Sequence, residues 1–469
     1  MFGDTVVSSI PVWQYAFSML SSLSCRLLLN QKAMANVVTF EQINAHAAAI
    51  DIGAEKIFVS PDGQQVWIYQ TFTADYRRCV QDLKDHGIRS VCMEATGVYW
   101  IALYELLEQA GIEVCLVNPK EVKQVKGRKS DPKDCRWIQK VFSAGLVRQS
   151  YVPAGMLKEL RMMVREREDV IICGSSYVNK MQKALELMNI KLTNVLSQIH
   201  GASGIRIIEA IIGGERDPQQ LLLLCDSRIV EQKAEQVLKA LEGNYNESWI
   251  FLLNQGLVMW KMHQQQIIVM DNKIASLLDK LEKGKAFVKS VGKIKPIRHH
   301  APKIKDLHQK MLNIYGVDGS SLSGITDYTL LRLLGEVGTD MSRFATVKHF
   351  VSWCQLAPVL HQSGRMNKRI KIRSGSKAGQ IFREIAQALI SSKHIAIGAF
   401  MRRIRYRKDS KIAIKAGARK LAEAFYRLLT KGKDYVERGV INYTKQLEEK
   451  EKKFLEKLAS KHNLKLVTV

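Results

Sequence analysis

Four carboxylates occupy settings unlike those of ordinary surface acids. Asp51 interrupts "AAAIDIGAEKIFVS", residues 47–60, which otherwise reads as a buried strand, and a buried carboxylate needs compensation. Glu94 closes the strand "VCME" just before a helix, while Asp131 and Asp134 open a third helix within "KSDPKDCRW", residues 129–137. Strand ends that precede helices converge in a parallel sheet, so the order predicts one pocket for all four acids. An all-oxygen set suits a hard divalent cation, magnesium in particular, with a substrate phosphate completing the coordination. Two such ions can clamp the attacking and leaving oxygens of a phosphodiester. Lys129 and Lys133, beside the acids, then hold the polyanion. Taken alone, Asp131 before Pro132 also reads as a helix cap with Asp134 in a capping position, and Glu94 as a strand-end charge. The set of four, with Asp51 the hardest to dismiss, favours metal.

The elements that position these residues follow from pattern. After the first strand, "DGQQVWIYQTF" predicts a hairpin turning at Asp62-Gly63 with alternating apolar residues. A helical stretch ending at Gly87, strand "SVCMEA", a helix ending at Gly111, strand "IEVCLVNP" and a helix from about Pro132 complete an α/β domain with a mixed sheet. This is the element order of an RNase H-like fold. Residues 155–285 read as mostly helix: Ile267, Met270, Ile274, Leu277, Leu278 and Leu281 recur at spacings of three and four and call for a partner helix, in this chain or another. "YGVDGSSLSGI" breaks the helical pattern, short helices resume, and "YTKQLEEKEKKFLEKLASKH" reads as a charged surface helix.

Charge narrows the partner. The 469 residues carry 71 Lys and Arg against 45 Asp and Glu, a net +26, which points to a polyanion. Residues 361–440 hold 21 of these cations and only five acids, the distribution of a binding face. Arg365, Lys368, Arg369, Lys371, Arg373, Lys377, Arg383, Arg402, Arg403, Arg405 and Arg407 are the candidate phosphate contacts there. Trp100, Trp137 and Trp353 read as core rather than as base-stacking platforms. Eight cysteines without a C-x-x-C pair, and histidines without ligand spacing beyond adjacent His299 and His300, predict a reduced cytoplasmic protein without structural zinc. The apolar stretch at residues 10–30 contains Arg26 and lacks a cleavage site, which makes it a poor leader or membrane span. Met34 opens "MANVVTF" just before the first strand, so residues 1–33 read as an upstream extension.

Together "IDIGAEK", "MEATGVYW" and "KSDPKDC" closely resemble the three motifs of the DEDD transposases of the insertion sequence one-hundred-and-ten family. "AGLVRQSYVP", the central "NIKLTNVLSQIHGASGIRIIEAIIGGERDP", and the stretch from "IYGVDGSS" to "RSGSKAGQ" are similar to it as well, from about Ala47 to Tyr435. The resemblance implies a RuvC-like domain whose tetrad is Asp51, Glu94, Asp131 and Asp134, and a C-terminal domain with a nucleophilic serine at Ser363, in "HQSGRMNK". It further implies recombination of donor and target double-stranded DNA guided by a structured RNA. One departure is the longer, proline-free "YGVDGSSLSG" where the family commonly shows a Pro-Gly-Ile-Gly turn.

A serine hydroxyl needs a base, a metal or nearby cations to act as a nucleophile at neutral pH; Arg365, Lys368 and Arg369 lie beside Ser363, with Ser374 and Ser376 as nearby rivals. The expected organisation is a 1–46 extension, a 47–154 RuvC-like domain, a 155–300 helical coiled-coil connector, a 301–440 basic, mainly helical transposase domain and a 441–469 tail. Strand exchange between two duplexes predicts a dimer or tetramer and no membrane. Competing expectations are a metal-dependent nuclease or junction resolvase acting by hydrolysis, a sugar-kinase-like ATPase, for which the second phosphate motif is missing, and an architectural nucleic-acid-binding protein.

Overall fold

The computed structural model describes residues 42–119, 131–147, 149–290, 294–358, 360–363, 366–369, 375–392, 395–432, 434, 445, 448–449 and 452–464. The 1–33 extension and 13 of the 29 residues of the 441–469 tail lie outside the described residues, while 452–461 is helical, as its charged pattern predicts. The chain divides into two compact units, Met1–Val152 and Pro153–Val469.

The first unit is built on a five-stranded mixed sheet in the order β3-β2-β1-β4-β5. The strands are β1 (Ala47–Ile52), β2 (Lys56–Ser60), β3 (Trp67–Gln70), β4 (Ser90–Glu94) and β5 (Glu113–Val117). β1 pairs antiparallel with β2 and parallel with β4, which is parallel to β5. Alternation along β1 divides the core. Ala48, Ile50 and Ile52 pack with Cys79 and Leu83 of α1 (Thr73–Asp85) and Leu103 and Leu107 of α2 (Trp100–Gln109). Ala47 and Ala49 face the other way, onto Cys135, Ile138 and Phe142 of α3 (Asp131–Ser143). The β2–β3 connection is longer than a two-residue Asp-Gly turn: Asp62 Oδ1 accepts from the backbone N–H groups of Gln64 and Gln65 at 2.8 and 2.7 Å, an Asx turn in which Gly63 supplies φ +76°.

The second unit is helical. Its axis is a pair of long helices, α4 (Met156–Leu187) and, after α5 (Leu192–Val195), α6 (Ala202–Ile212), α7 (Pro218–Leu223) and α8 (Ser227–Leu241), α9 (Glu247–Glu282). At 36 residues, α9 is about 54 Å long. The two run antiparallel: Gly256 meets Met181, Gly174 meets His263, and Arg167 meets Asp271. Both glycines sit where a Cβ would crowd the facing helix. The partner that the apolar spacing of α9 requires is therefore in the same chain, with Ile274, Leu277 and Leu278 buried. One end of the pair packs with α5 to α8 around Ile207, Ile208, Leu221 and Leu241. The other end enters a second core with α10 (Leu307–Tyr315), α11 (Asp327–Val337), α12 (Val347–Trp353), α13 (Lys377–Leu389), α14 (Ala396–Arg407) and α15 (Ser410–Lys431), centred on Phe350, Phe382 and Phe425. Between α12 and α13 stands a two-stranded ribbon, β6 (Leu360–Ser363) and β7 (Met366–Arg369).

The segment "YGVDGSSLSG" acts in this core. Gly316 ends α10 in the left-handed conformation, Asp318 caps a short turn at Gly319–Ser321, and Gly319 lies against Leu330. Lys295 Nζ donates to the carbonyls of Ser320 and Leu322. The altered turn thus packs helices. Among the described residues no helix is long and apolar enough to cross a membrane.

The seven described cysteines are free thiols, and of these Cys173 is exposed. Native-state alkylation with iodoacetamide is expected to modify Cys173 far faster than Cys79 or Cys135, whose thiols burial pushes up to about 12, since only the thiolate reacts. Peptide mapping after a short exposure checks this; equal modification of all three contradicts the packing of α3 on the sheet.

Candidate active site

The acids are placed by backbone register. Ala47, Ala48, Ala49 and Ile50 of β1 pair with Ser90, Val91, Cys92 and Met93 of β4, so Asp51 and Glu94 fall at the next step, side by side. Alternation puts Asp51 on the face of Ala47 and Ala49, and Glu94 on the face of Cys92, which is the α3 face for both. Glu94 is 7% exposed and Asp51 half-buried. The Glu94 carboxylate accepts from Thr96 Oγ1 at 2.9 Å.

α3 runs back along β1. Gln139 Nε2 donates to the carbonyl of Ala47 at 2.9 Å, and Cys135 Sγ, one turn earlier, donates to Ala49 at 3.3 Å and to Phe58 at 3.0 Å. A helix rises about 6 Å over four residues and a strand advances about 6.6 Å over two. The next turn, which holds Asp131, therefore overhangs the level of Asp51. Asp131 and Asp134 precede Cys135 and Ile138 by four residues each, so both share the sheet-facing side of the helix. The Asp51 carboxylate adds to the rise that burial imposes on the Cys135 thiol, as its closeness to this turn requires.

The fold thus brings the four acids to one end of one sheet face, although their carboxylates do not close on a common point. Among the described residues no three Asp, Glu, His or Cys side chains gather as a metal-binding group. The donor chemistry, oxygen throughout, fits a hard cation. Lys133 is exposed in the first turn of α3, while Lys129 lies outside the described residues.

Ser363 ends β6 and pairs with Met366 across a two-residue connection, in the unit that does not hold the tetrad. Lys368 and Arg369 continue β7, and Arg365, Lys371, Arg373 and the rival Ser374 lie outside the described residues. The other rival, Ser376, is the N-cap of α13, its Oγ accepting from Gly379 N–H at 3.0 Å. Lys377 is exposed beside it. The Arg383 guanidinium lies against Gly375 and near Lys415, whose ammonium is held below its ordinary value by burial and by Arg383. Arg402 donates to the carbonyls of Ile390 and Ser392 and closes the end of α13. Arg403 is half-buried, while Arg405 and Arg407 are exposed. Among the described residues Glu384 pairs with Arg332 and Glu423 with Arg419.

The charge count alone passed over Tyr406, which is 95% exposed between Arg405 and Arg407. An exposed aromatic ring beside arginines is the kind of side chain on which a base can stack, and the "RYR" triplet was its signal. Trp100, Trp137 and Trp353 are half-buried against the apolar clusters.

Comparison with known families agrees with this architecture. A DEDD transposase model of IS110 elements, described as "Transposase", matches residues 48–190, from β1 to just beyond α4. A second, described as "Transposase IS116/IS110/IS902 family", matches residues 320–401, which include the ribbon and α13. No curated protein matches the chain. Two matches, one over the acidic sheet end and one over the basic helical region, show that the chain belongs to the IS110 family of DEDD transposases.

Proposed function

We propose that this transposase cleaves and rejoins DNA phosphodiesters through a covalent link to Ser363, assisted by the acidic tetrad on an RNase H-like, RuvC-like domain. The observation that carries the reading is the convergence of Asp51, Glu94 and the first turn of α3 on one end of one sheet face. Asp51, Glu94, Asp131 and Asp134 would hold magnesium, which supplies charge stabilisation at the phosphate when bound. Ser363 attacks phosphorus, the P–O bond of the DNA strand breaks, and the serine ester keeps the bond energy needed for rejoining. Arg365, Lys368 and Arg369 stabilise the phosphate oxygens during the attack. A structured guide RNA, as the family resemblance implies, selects donor and target, and a dimer or tetramer brings two duplexes together; exposed Phe251, Leu252, Val258 and Met262 on α9 offer it an apolar surface.

The test is cleavage of labelled DNA carrying the element's ends, with magnesium and the element's flanking RNA, read on denaturing gels. Wild type is expected to leave a protein–DNA adduct that Ser363→Ala does not form. Nicking that persists in Ser363→Ala with no adduct in either protein would overturn the serine mechanism in favour of hydrolysis.

The basic face makes its own prediction. Arg405→Ala and Arg407→Ala are each expected to weaken DNA binding uniformly across sequences and to reduce the slope of log K against log salt by about one. Titrations between low and moderate salt check this; unchanged slopes would remove α14 from the interface.

A further inference from the structure

A second hydroxyl in the helical unit is set up for nucleophilic chemistry, on segments that hold neither the tetrad nor Ser363. Ser290 Oγ lies 3.0 Å from His308 Nε2, and His308 Nδ1 lies 2.9 Å from Asp327 Oδ1. An ionised carboxylate can only accept a hydrogen bond, so Nδ1 carries the proton toward Asp327. In the neutral imidazole Nε2 is then the acceptor, and the Ser290 hydroxyl donates to it. The roles are those of nucleophile, general base and orienting carboxylate.

The surroundings favour chemistry over a chance chain of hydrogen bonds. The side chains of His308 and Asp327 are 11% and 5% exposed, whereas Ser290 is open to solvent. The segment leading to Ser290 is fixed: Val288 N–H donates to Asn313 Oδ1 at 2.9 Å, and Gln309 Nε2 donates to the Val288 carbonyl at 2.8 Å. Asn313 is held in turn by Glu282. Asp327 is fixed in the first turn of α11, which Thr326 caps. Residues 283–298 contain six Lys and Arg and no Asp or Glu, a local field that draws anionic substrates. Neither family match includes Ser290 or His308.

We propose that Ser290, His308 and Asp327 form a second nucleophilic site, whose substrate class is an anionic phosphoryl ester. Ser290 Oγ forms the new P–O bond, and the bond from phosphorus to the leaving oxygen breaks. The hydroxyl proton passes to His308 Nε2 and then to the leaving group. His308 is the catalytic base, and Asp327 is a positioning residue that acts through it.

A fluorophosphonate reagent tests this without DNA, metal or RNA: P–O forms, P–F breaks, fluoride leaves and the proton goes to Nε2. Peptide mapping of the full chain is expected to find the label on Ser290, to lose it in Ser290→Ala and to retain it in Ser363→Ala. His308→Gln, whose amide can keep both hydrogen bonds but takes no proton, is expected to slow labelling by about a hundredfold or more. Asp327→Asn is expected to slow labelling at unchanged thermal stability, with part of the rate restored in Asp327→Glu. A folded wild type left unlabelled at Ser290, or one labelled equally fast in His308→Gln, overturns the proposal and leaves the Ser363 mechanism untouched.

Discussion

Replacing Asp51 by asparagine is expected to lower magnesium-dependent DNA cleavage by about a thousandfold or more, because it removes a charge on which stabilisation of the reacting phosphate depends. The loss should come without unfolding. Asp51 is half-buried at the open end of β1, where Glu94 lies beside it and the first turn of α3 overhangs it. An isosteric amide fills the same space and relieves repulsion among like charges, so the melting temperature should move by no more than a few degrees. The informative control is Asp62→Asn, which removes an equal charge from the β2–β3 loop and keeps the acceptor that caps it. Full cleavage by Asp51→Asn, or an equal loss in Asp62→Asn, would remove Asp51 from the chemistry.

The largest effect on stability is expected in the helical unit, in Asp271→Ala. Arg167 on α4 and Asp271 on α9 are 1% and 0% exposed and meet at 2.5 Å. Asp271 also accepts from Lys303 N–H at 2.9 Å, and Arg167 donates to the His300 carbonyl at 3.1 Å while its guanidinium lies over Tyr328 at 5.0 Å. Truncating the aspartate leaves a guanidinium buried without its counter-charge, which costs about 3–5 kcal/mol. Replacing both residues, Arg167→Met with Asp271→Leu, should recover much of that loss, because the desolvation of two ions disappears with them. Urea unfolding of the two variants measures both quantities. A loss below about 1 kcal/mol in Asp271→Ala would mean that the pair is hydrated rather than sealed.

The sheet end was legible in the sequence because its signals are local. The apolar run "AAAIDI" reads as a buried strand interrupted by one acid, and the order of strands and helices predicts which strand ends converge. Asp51, Glu94, Asp131 and Asp134 were singled out that way, without any knowledge of the register. The ribbon at residues 360–369 was not, because "LHQS" and "MNKR" carry no apolar alternation and resemble the loop around them. The partner of α9 was left open because periodicity reveals an apolar stripe and not what covers it; Gly174 and Gly256 acquire meaning only once the helices are paired. The Asp62-Gly63 turn was located correctly but made too short, since an Asx turn and a two-residue hairpin start with the same dipeptide. Ser290, His308 and Asp327 come from three separate segments, and no spacing rule joins them.

The identity of the residue joined to DNA separates covalent from hydrolytic cleavage. Wild-type protein is trapped on labelled DNA with magnesium and the element's RNA, digested with protease, and the nucleotide-bearing peptide is sequenced by mass spectrometry. A phosphodiester link to Ser363 is expected, lost in both Ser363→Ala and Asp51→Asn. A link mapped to Ser290 or any other residue, or complete cleavage with no linked peptide, would contradict it.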